Sequence, residues 1–357
     1  MQIGRLFAVA ALAATAPAAD ALPPLLPHTK GKLDAVNACL CGKVLDFTAN
    51  HGRDNRIYSP ALCTKRDVYV YLPPGYDGTT RFPLVLALHG FGQDELKFLD
   101  AVPRFDAAIR RGDLPPFVMV APDGTVSGRR TLMNVGSFYL NSASGRFEDY
   151  TIQDVWLWAR RSFTVRPERE AHAILGASMG GFAAYNLGFK YPDEFGVLVG
   201  LLPALDIRYS DCHGNTFGPY DPNCSRYRDD VAPLRPVGRL PSGIVIRERQ
   251  ILKPMFGHDR SNAVAFMASQ NPVEMLDAYD IKPGRYEMFI GYGTKDDFNV
   301  NAQCEHFLDV ARRRGICPRV VVVPGGRHSV ETVRTIFPDL CRWLSPRLAP
   351  YAPGGGK

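Results

Sequence analysis

The chain has no apolar run long enough for an ordinary membrane span. Its best candidate, Leu6 to Ala19, falls short of the roughly 20 residues a bilayer needs, and nothing later is longer. Stable membrane insertion is therefore not expected. None of the eight cysteines sits in a C-x-x-C pair, which removes the usual zinc-site spacing. Basic residues form no stripe interleaved with aromatics. The net charge of +6 is scattered, apart from Arg312-Arg313-Arg314, so nucleic acid is not an expected partner. No internal repeat occurs, and the Gly-rich tail is the one low-complexity tract. What remains is an ordinary globular composition, 46% hydrophobic and 22% charged, over 357 residues. That length suits one large domain or two small ones and can bury a full core.

The first residues carry an export pattern. Arg5 is the positive end, Leu6 to Ala19 is apolar and Ala-rich, and Ala19-Asp20-Ala21 supplies small residues for cleavage. Residues 1–21 are read as a signal peptide, 22–350 as the folded domain and 351–357 as a flexible tail, with a secreted or periplasmic location. An even cysteine count agrees with an oxidising compartment and allows up to four disulfides. Eight cysteines permit about 105 pairings. Cys212 with Cys224 is the expected bridge, because both lie in one polar stretch containing Gly and Pro.

Short apolar strands alternate with helical segments. Val44 to Phe47, Val68 to Leu72, Leu84 to Leu88, Phe117 to Ala121, Ala171 to Leu175, Phe195 to Leu202, Tyr286 to Gly291 and Val320 to Val323 read as strands. Asp149 to Phe163 has helical spacing, which assigns Trp156 and Trp158 to packing. Helices are also expected at 181–189 and 302–313. The alternation predicts an α/β fold, a mostly parallel sheet covered on both faces. Residues 206–285 are far too long for an ordinary connection between two such strands. They are read as a lid or cap insertion, with one helix at Ser261 to Ser269.

Gly176-Ala177-Ser178-Met179-Gly180 follows an apolar strand and opens a helix. In that setting G-x-S-x-G is a nucleophile elbow, with the serine hydroxyl projecting above the sheet. An alcohol needs a base. The chain order for this elbow is Ser, then acid, then His, which leaves His306 and His328. His306 falls within a helix. His328 follows a strand and the flexible Pro324-Gly325-Gly326, so it is the candidate base. Asp296 and Asp297 follow the preceding strand, and spacing does not separate them. The developing oxyanion needs donors. The Met179 N–H is one. The loop His89-Gly90-Phe91-Gly92 supplies the other, with Phe91 preferred, Gly90 second and His89 structural. Tyr139, Asn141 and Tyr292 adjoin these loops and are candidate substrate-binding residues. This chemistry requires no metal and no organic cofactor.

These motifs resemble the esterase D family, also called putative esterases, of the α/β-hydrolase fold. The resemblance covers about residues 66–345. It is carried by Val68 to Tyr76, Leu86 to Gly90, Ser137 to Ser142, Phe147 to Tyr150, Gly176 to Phe182, Tyr191 to Phe195, Gly293-Thr294-Lys295-Asp296 and Gly325 to His328. It implies a serine carboxylic-ester hydrolase and favours Asp296 over Asp297. Feruloyl, acetylxylan, formylglutathione and enterochelin esterases and mycolyltransferases share the pattern. The expected partner is a small-molecule or polysaccharide-linked ester. Acyl transfer to a sugar or other alcohol, and a non-catalytic binding protein on this scaffold, are the alternatives. Leu201-Leu202-Pro203-Ala204 departs from the family, as does the insertion.

Overall fold

The computed structural model describes residues 30–128, 135–239, 243, 245–256 and 262–355. The expected signal peptide, residues 1–21, lies outside them. Eight strands form the main sheet: β1 (Lys43–Phe47), β2 (Val68–Leu72), β3 (Leu84–Leu88), β4 (Val118–Pro122), β5 (His172–Ala177), β6 (Val197–Leu201), β7 (Glu287–Gly293) and β8 (Arg319–Val323). Their spatial order is β1-β2-β4-β3-β5-β6-β7-β8. β1 with β2 and β2 with β4 run antiparallel, and every later pair is parallel.

The reason is visible in the strands. Leu84-Val85-Leu86, Ala173-Ile174-Leu175 and Val197-Leu198-Val199 are buried on both faces. Each such Leu, Ile or Val side chain taken out of water contributes about 1.5–3 kcal/mol. A strand with two apolar faces needs helices on both sides, and parallel crossovers supply them. The helices are α1 (Lys30–Cys39), α2 (Lys97–Arg111), α3 (Phe147–Ser162, with a π-helical stretch at Tyr150–Trp156), α4 (Met179–Lys190), α5 (Glu248–Phe256), α6 (Ala263–Gln270), α7 (Pro272–Ala278), α8 (Val300–Arg313) and α9 (Val330–Leu348). Trp156 is buried against Phe195 and its indole N–H donates to Glu194 (2.8 Å), while Trp158 packs on Phe47 and Phe163.

Three expectations need correction. The insertion holds α5 and α7 as well as the expected helix, α6, and two small hairpins at 209–227 and 236–247. Sequence reading passed over α5 and α7 because Pro254 falls within one segment and Pro272 opens the other, and proline reads as a break in a helical pattern. Cys212–Cys224 is bridged, but Cys39, Cys41, Cys63, Cys304, Cys317 and Cys341 are free thiols, so four disulfides do not form. Packing also continues past residue 350: Tyr351 O accepts from Arg166 Nε (2.9 Å) and Ala352 is buried.

Candidate active site

Parallel strands that end level place their following loops side by side. β3, β5, β7 and β8 do this, with Leu88 level with Gly176 and Gly293 level with Val323. The loops after them carry His89 to Gln93, Ser178, Asp296 to Asn299 and His328.

Ser178 sits between β5 and α4 at φ 54° and ψ −116°, a conformation L-residues avoid. Such a residue costs about 1–3 kcal/mol unless its surroundings hold it. Here Ser178 N–H donates to Leu201 O (2.9 Å) and Ser178 O accepts from Phe182 N–H (2.9 Å). The glycines are steric necessities. A Cβ on Gly176 would lie 2.1 Å from the Gly180 carbonyl, and one on Gly180 would lie 2.1 Å from Leu88 O. Gly180→Ala is therefore expected to push α4 off β3 and destabilise the protein by about 1–3 kcal/mol. Chemical denaturation would measure it, and an unchanged midpoint would mean that the elbow has slack.

His328 Nε2 lies 2.8 Å from Ser178 Oγ, and His328 Nδ1 lies 2.7 Å from Asp296 Oδ2. The Asp296 side chain is fully buried and the imidazole is 13% exposed. Asp296 Oδ1 accepts from the Phe298 N–H (2.8 Å) and more distantly from Val300 N–H (3.4 Å). Asp297 points elsewhere. It forms a two-pronged ion pair with Arg327 and accepts the His328 backbone N–H (3.2 Å). One acid thus holds the imidazole and its neighbour holds the loop that carries it. Ser329, directly after His328, caps α9 by accepting from Thr332 N–H. The Phe298 ring covers the imidazole at 4.8 Å. Neither the Asp297–Arg327 pair nor Phe298 had a motif to announce it.

The first loop is held from behind. Burial pushes the His89 imidazole below the usual histidine range, so it is neutral. Its Nε2 accepts from Gly124 N–H (2.8 Å), which leaves the proton on Nδ1 to donate to Gly90 O (3.0 Å). In a trans peptide the Phe91 N–H then points the opposite way. Gln93 Oε1 accepts the Gly90 N–H (3.2 Å), so Gly90 is not a free donor and Phe91 is the better of the two. The position of a Gly90 Cβ is 3.4 Å from Ser178 Cβ, so this loop lies against the serine. Met179 is the first residue of α4, and its N–H has no acceptor within the helix.

Two of the three candidate substrate-binding residues, Tyr139 and Tyr292, are buried and do not line this site as expected. Tyr139 is wholly buried, its hydroxyl donating to His89 O (3.3 Å) behind the loop. Asn141 Oδ1 accepts from Asp149 N–H (3.2 Å) at the start of α3. Tyr292 is 4% exposed and sits beside Cys304 and Glu305 on the α8 side of β7. Adjacency to a motif loop in sequence placed Tyr139 and Tyr292 one layer too near. His306 lies on α8, buried against Asp206 (2.7 Å) and ringed by Tyr209, Tyr220 and Tyr227. Among the described residues, Cys212, His213 and Cys224 form the sole cluster with metal-ligand proximity, and its two thiols are joined to each other.

Residues 59–334 match the family described as putative esterase. Among curated proteins, the chain is 25% identical over 157 residues to an endo-1,4-beta-xylanase/feruloyl esterase of Xylanibacter ruminicola, covering 41% of this chain and 21% of that protein. It is 27% identical over 147 residues to an esterase of Mycobacterium tuberculosis, covering 39% and 29%. The matches thus span less than a third of either relative. Among solved structures, a ferulic acid esterase superposes with a TM-score of 0.61 at 17% identity, over 87% of this chain and 99% of that one. An S-formylglutathione hydrolase from Agrobacterium tumefaciens gives 0.60 at 18% identity, over 87% and 96%. At such identities these two likenesses speak for the α/β-hydrolase fold.

Proposed function

Since the chain belongs to the putative esterase family, we propose that it is a secreted serine carboxylic-ester hydrolase in which Ser178, His328 and Asp296 are the catalytic triad. The observation that carries this reading is the unbroken line from Ser178 Oγ through the imidazole to the buried Asp296 carboxylate, at 2.8 and 2.7 Å. Ser178 attacks the ester carbonyl while His328 Nε2 takes its proton. Asp296 keeps the Nδ1–H tautomer and stabilises the imidazolium. The N–H groups of Met179 and Phe91 receive the oxyanion. The imidazolium returns its proton to the departing alcohol, and water then repeats the sequence on the acyl-enzyme.

The substrate reading is an ester linked to carbohydrate or a small aromatic ester. Two kinds of support stand behind it: an export pattern with a disulfide-bridged insertion, and relatives named as feruloyl esterases. The insertion is proposed to cap the site. It reaches the acid loop through Arg239 N–H to Asp297 O (3.0 Å), and the 141–146 hairpin through Ala143 N–H to Met255 O (3.4 Å).

A fluorophosphonate probe is expected to label Ser178 stoichiometrically. Purified protein should then hydrolyse methyl ferulate or acetylated xylan faster than a long-chain lipid ester. Absence of labelling would sink the enzymatic reading. Acyl transfer to an added sugar outrunning release of free acid would convert the assignment to a transferase.

A further inference from the structure

The insertion, proposed above as a cap, also bonds directly to the acid loop. Cys212 and Cys224 close a loop between the two strands of the first hairpin, Tyr209–Asp211 and Ser225–Tyr227. Inside that loop, Asp211 Oδ1 accepts the N–H groups of His213 and Asn215, Asn215 Oδ1 accepts Phe217 N–H, and Tyr209 donates to Pro219 O. The result is an ordered surface with two carbonyls, Thr216 O and Gly218 O, turned towards one side chain. That side chain is Asn299, whose Nδ2 donates to both, at 2.9 and 3.0 Å. Two carbonyl acceptors require an amide nitrogen between them, which settles the orientation of the amide.

Asn299 is 6% exposed and stands at φ 54°. It ends the acid loop and precedes α8. Its own N–H donates to Asp296 O (3.3 Å). Between them lies Phe298, which covers His328 and whose N–H holds the Asp296 carboxylate. A Cβ on Gly238 of the insertion would lie 2.2 Å from the Phe298 ring, so the second hairpin presses on the same loop. Farther along α8, Tyr220 of the closed loop donates to Asp309 (2.6 Å).

We infer that Asn299 is a positioning residue through which the disulfide-closed loop 212–224 holds the acid loop in register with His328. This rests on the triad reading above. The physical need is plain. Asp296 and Asn299 lie in a short loop at a strand end, the kind of segment that moves most easily. A misplacement of about 1 Å in a catalytic group can cost on the order of 100-fold in rate. The left-handed backbone at 299 favours Asn or Gly, and of these only Asn also carries the two donors. The bridge limits how far Thr216 and Gly218 can retreat.

A mutant cycle tests it in the full-length protein. Asn299→Gly keeps the backbone conformation and removes the amide. Cys212→Ser with Cys224→Ser removes the bridge. On p-nitrophenyl acetate, Asn299→Gly is expected to lower kcat about tenfold and the serine pair about fivefold. KM should move less than about twofold in each. Combined, they should be no slower than about tenfold, because a shared route cannot be broken twice. Faster hydrogen exchange at the Phe298 and Val300 amides should accompany loss of the bridge, a readout independent of turnover. Losses that multiply, an unchanged kcat in Asn299→Gly, or unaltered exchange would each overturn the inference. Inactive Ser178→Ala beside an unaffected cycle would sink the inference alone. A fully active Ser178→Ala would sink the triad reading beneath it.

Discussion

Ser178→Ala is expected to reduce kcat on p-nitrophenyl acetate by about a millionfold while leaving stability nearly unchanged. The size follows from removing the atom that forms the acyl bond, since triad members act as a unit and the loss of a nucleophile is close to the loss of the whole device. What would remain is the help given by oxyanion donors and binding, about 10³–10⁴ over water. Stability is spared because serine and alanine share the same β-carbon, so the strained backbone at φ 54° is no worse in the variant. The bonds that hold it, Ser178 N–H to Leu201 O and Phe182 N–H to Ser178 O, are both backbone bonds. Steady-state turnover and a melting curve on the same preparation measure both halves. Residual activity above about a hundredth of native would show that another residue is the nucleophile.

Asp296→Asn is expected to lower kcat by about 10⁴, and Asp297→Asn by no more than about tenfold. Asp296 has two oxygens with different duties. Oδ1 accepts from Phe298 N–H and, at longer range, Val300 N–H, while Oδ2 faces His328 Nδ1. In an asparagine the oxygen must stay with the backbone donors, so the amide NH₂ faces the imidazole. A donor there forces the proton from Nδ1 to Nε2, and Nε2 can no longer accept from Ser178. Wrong-tautomer variants of triads lose about that factor. Asp297 instead grips Arg327 and the His328 backbone, so its amide weakens an ion pair without changing the tautomer. Parallel kcat measurements on the two variants separate them. Equal losses would mean that the acid loop acts as one rigid unit and that neither carboxylate is the specific partner.

Much of this architecture was readable because its causes are local. Leu84 to Leu88 and Ala173 to Leu175 are runs with no polar break, and a strand buried on both faces requires that pattern. The elbow was readable because G-x-S-x-G has a steric reason at each end, borne by Leu88 O on one side and the Gly180 carbonyl on the other. The strand-end position of His328 excluded His306 before any coordinates, and the structure finds His306 committed to Asp206.

The failures also share a cause. Tyr139 and Tyr292 were chosen for nearness along the chain, but nearness along the chain does not fix which face a side chain takes, and a strand sends successive side chains to opposite faces. Tyr139 went to the back of the first loop and Tyr292 to the α8 side of β7. The cysteine count allowed up to four bridges, yet pairing depends on which segments the fold brings within reach, and one pair is joined.

By itself the sequence determined the sheet, the elbow and the order of its chemical groups, because hydrophobic periodicity and steric demands act over a few neighbouring residues. It also selected the serine and the histidine. Only the tertiary structure placed the Asp296 carboxylate, and not that of Asp297, against the His328 imidazole, paired the Gly90 N–H with Gln93, and joined Asn299 to Thr216 and Gly218. Each of these depends on where a side chain points after distant segments have met. Asn299 and Gly218 are 81 positions apart, and no local pattern can place a hydrogen bond across that distance.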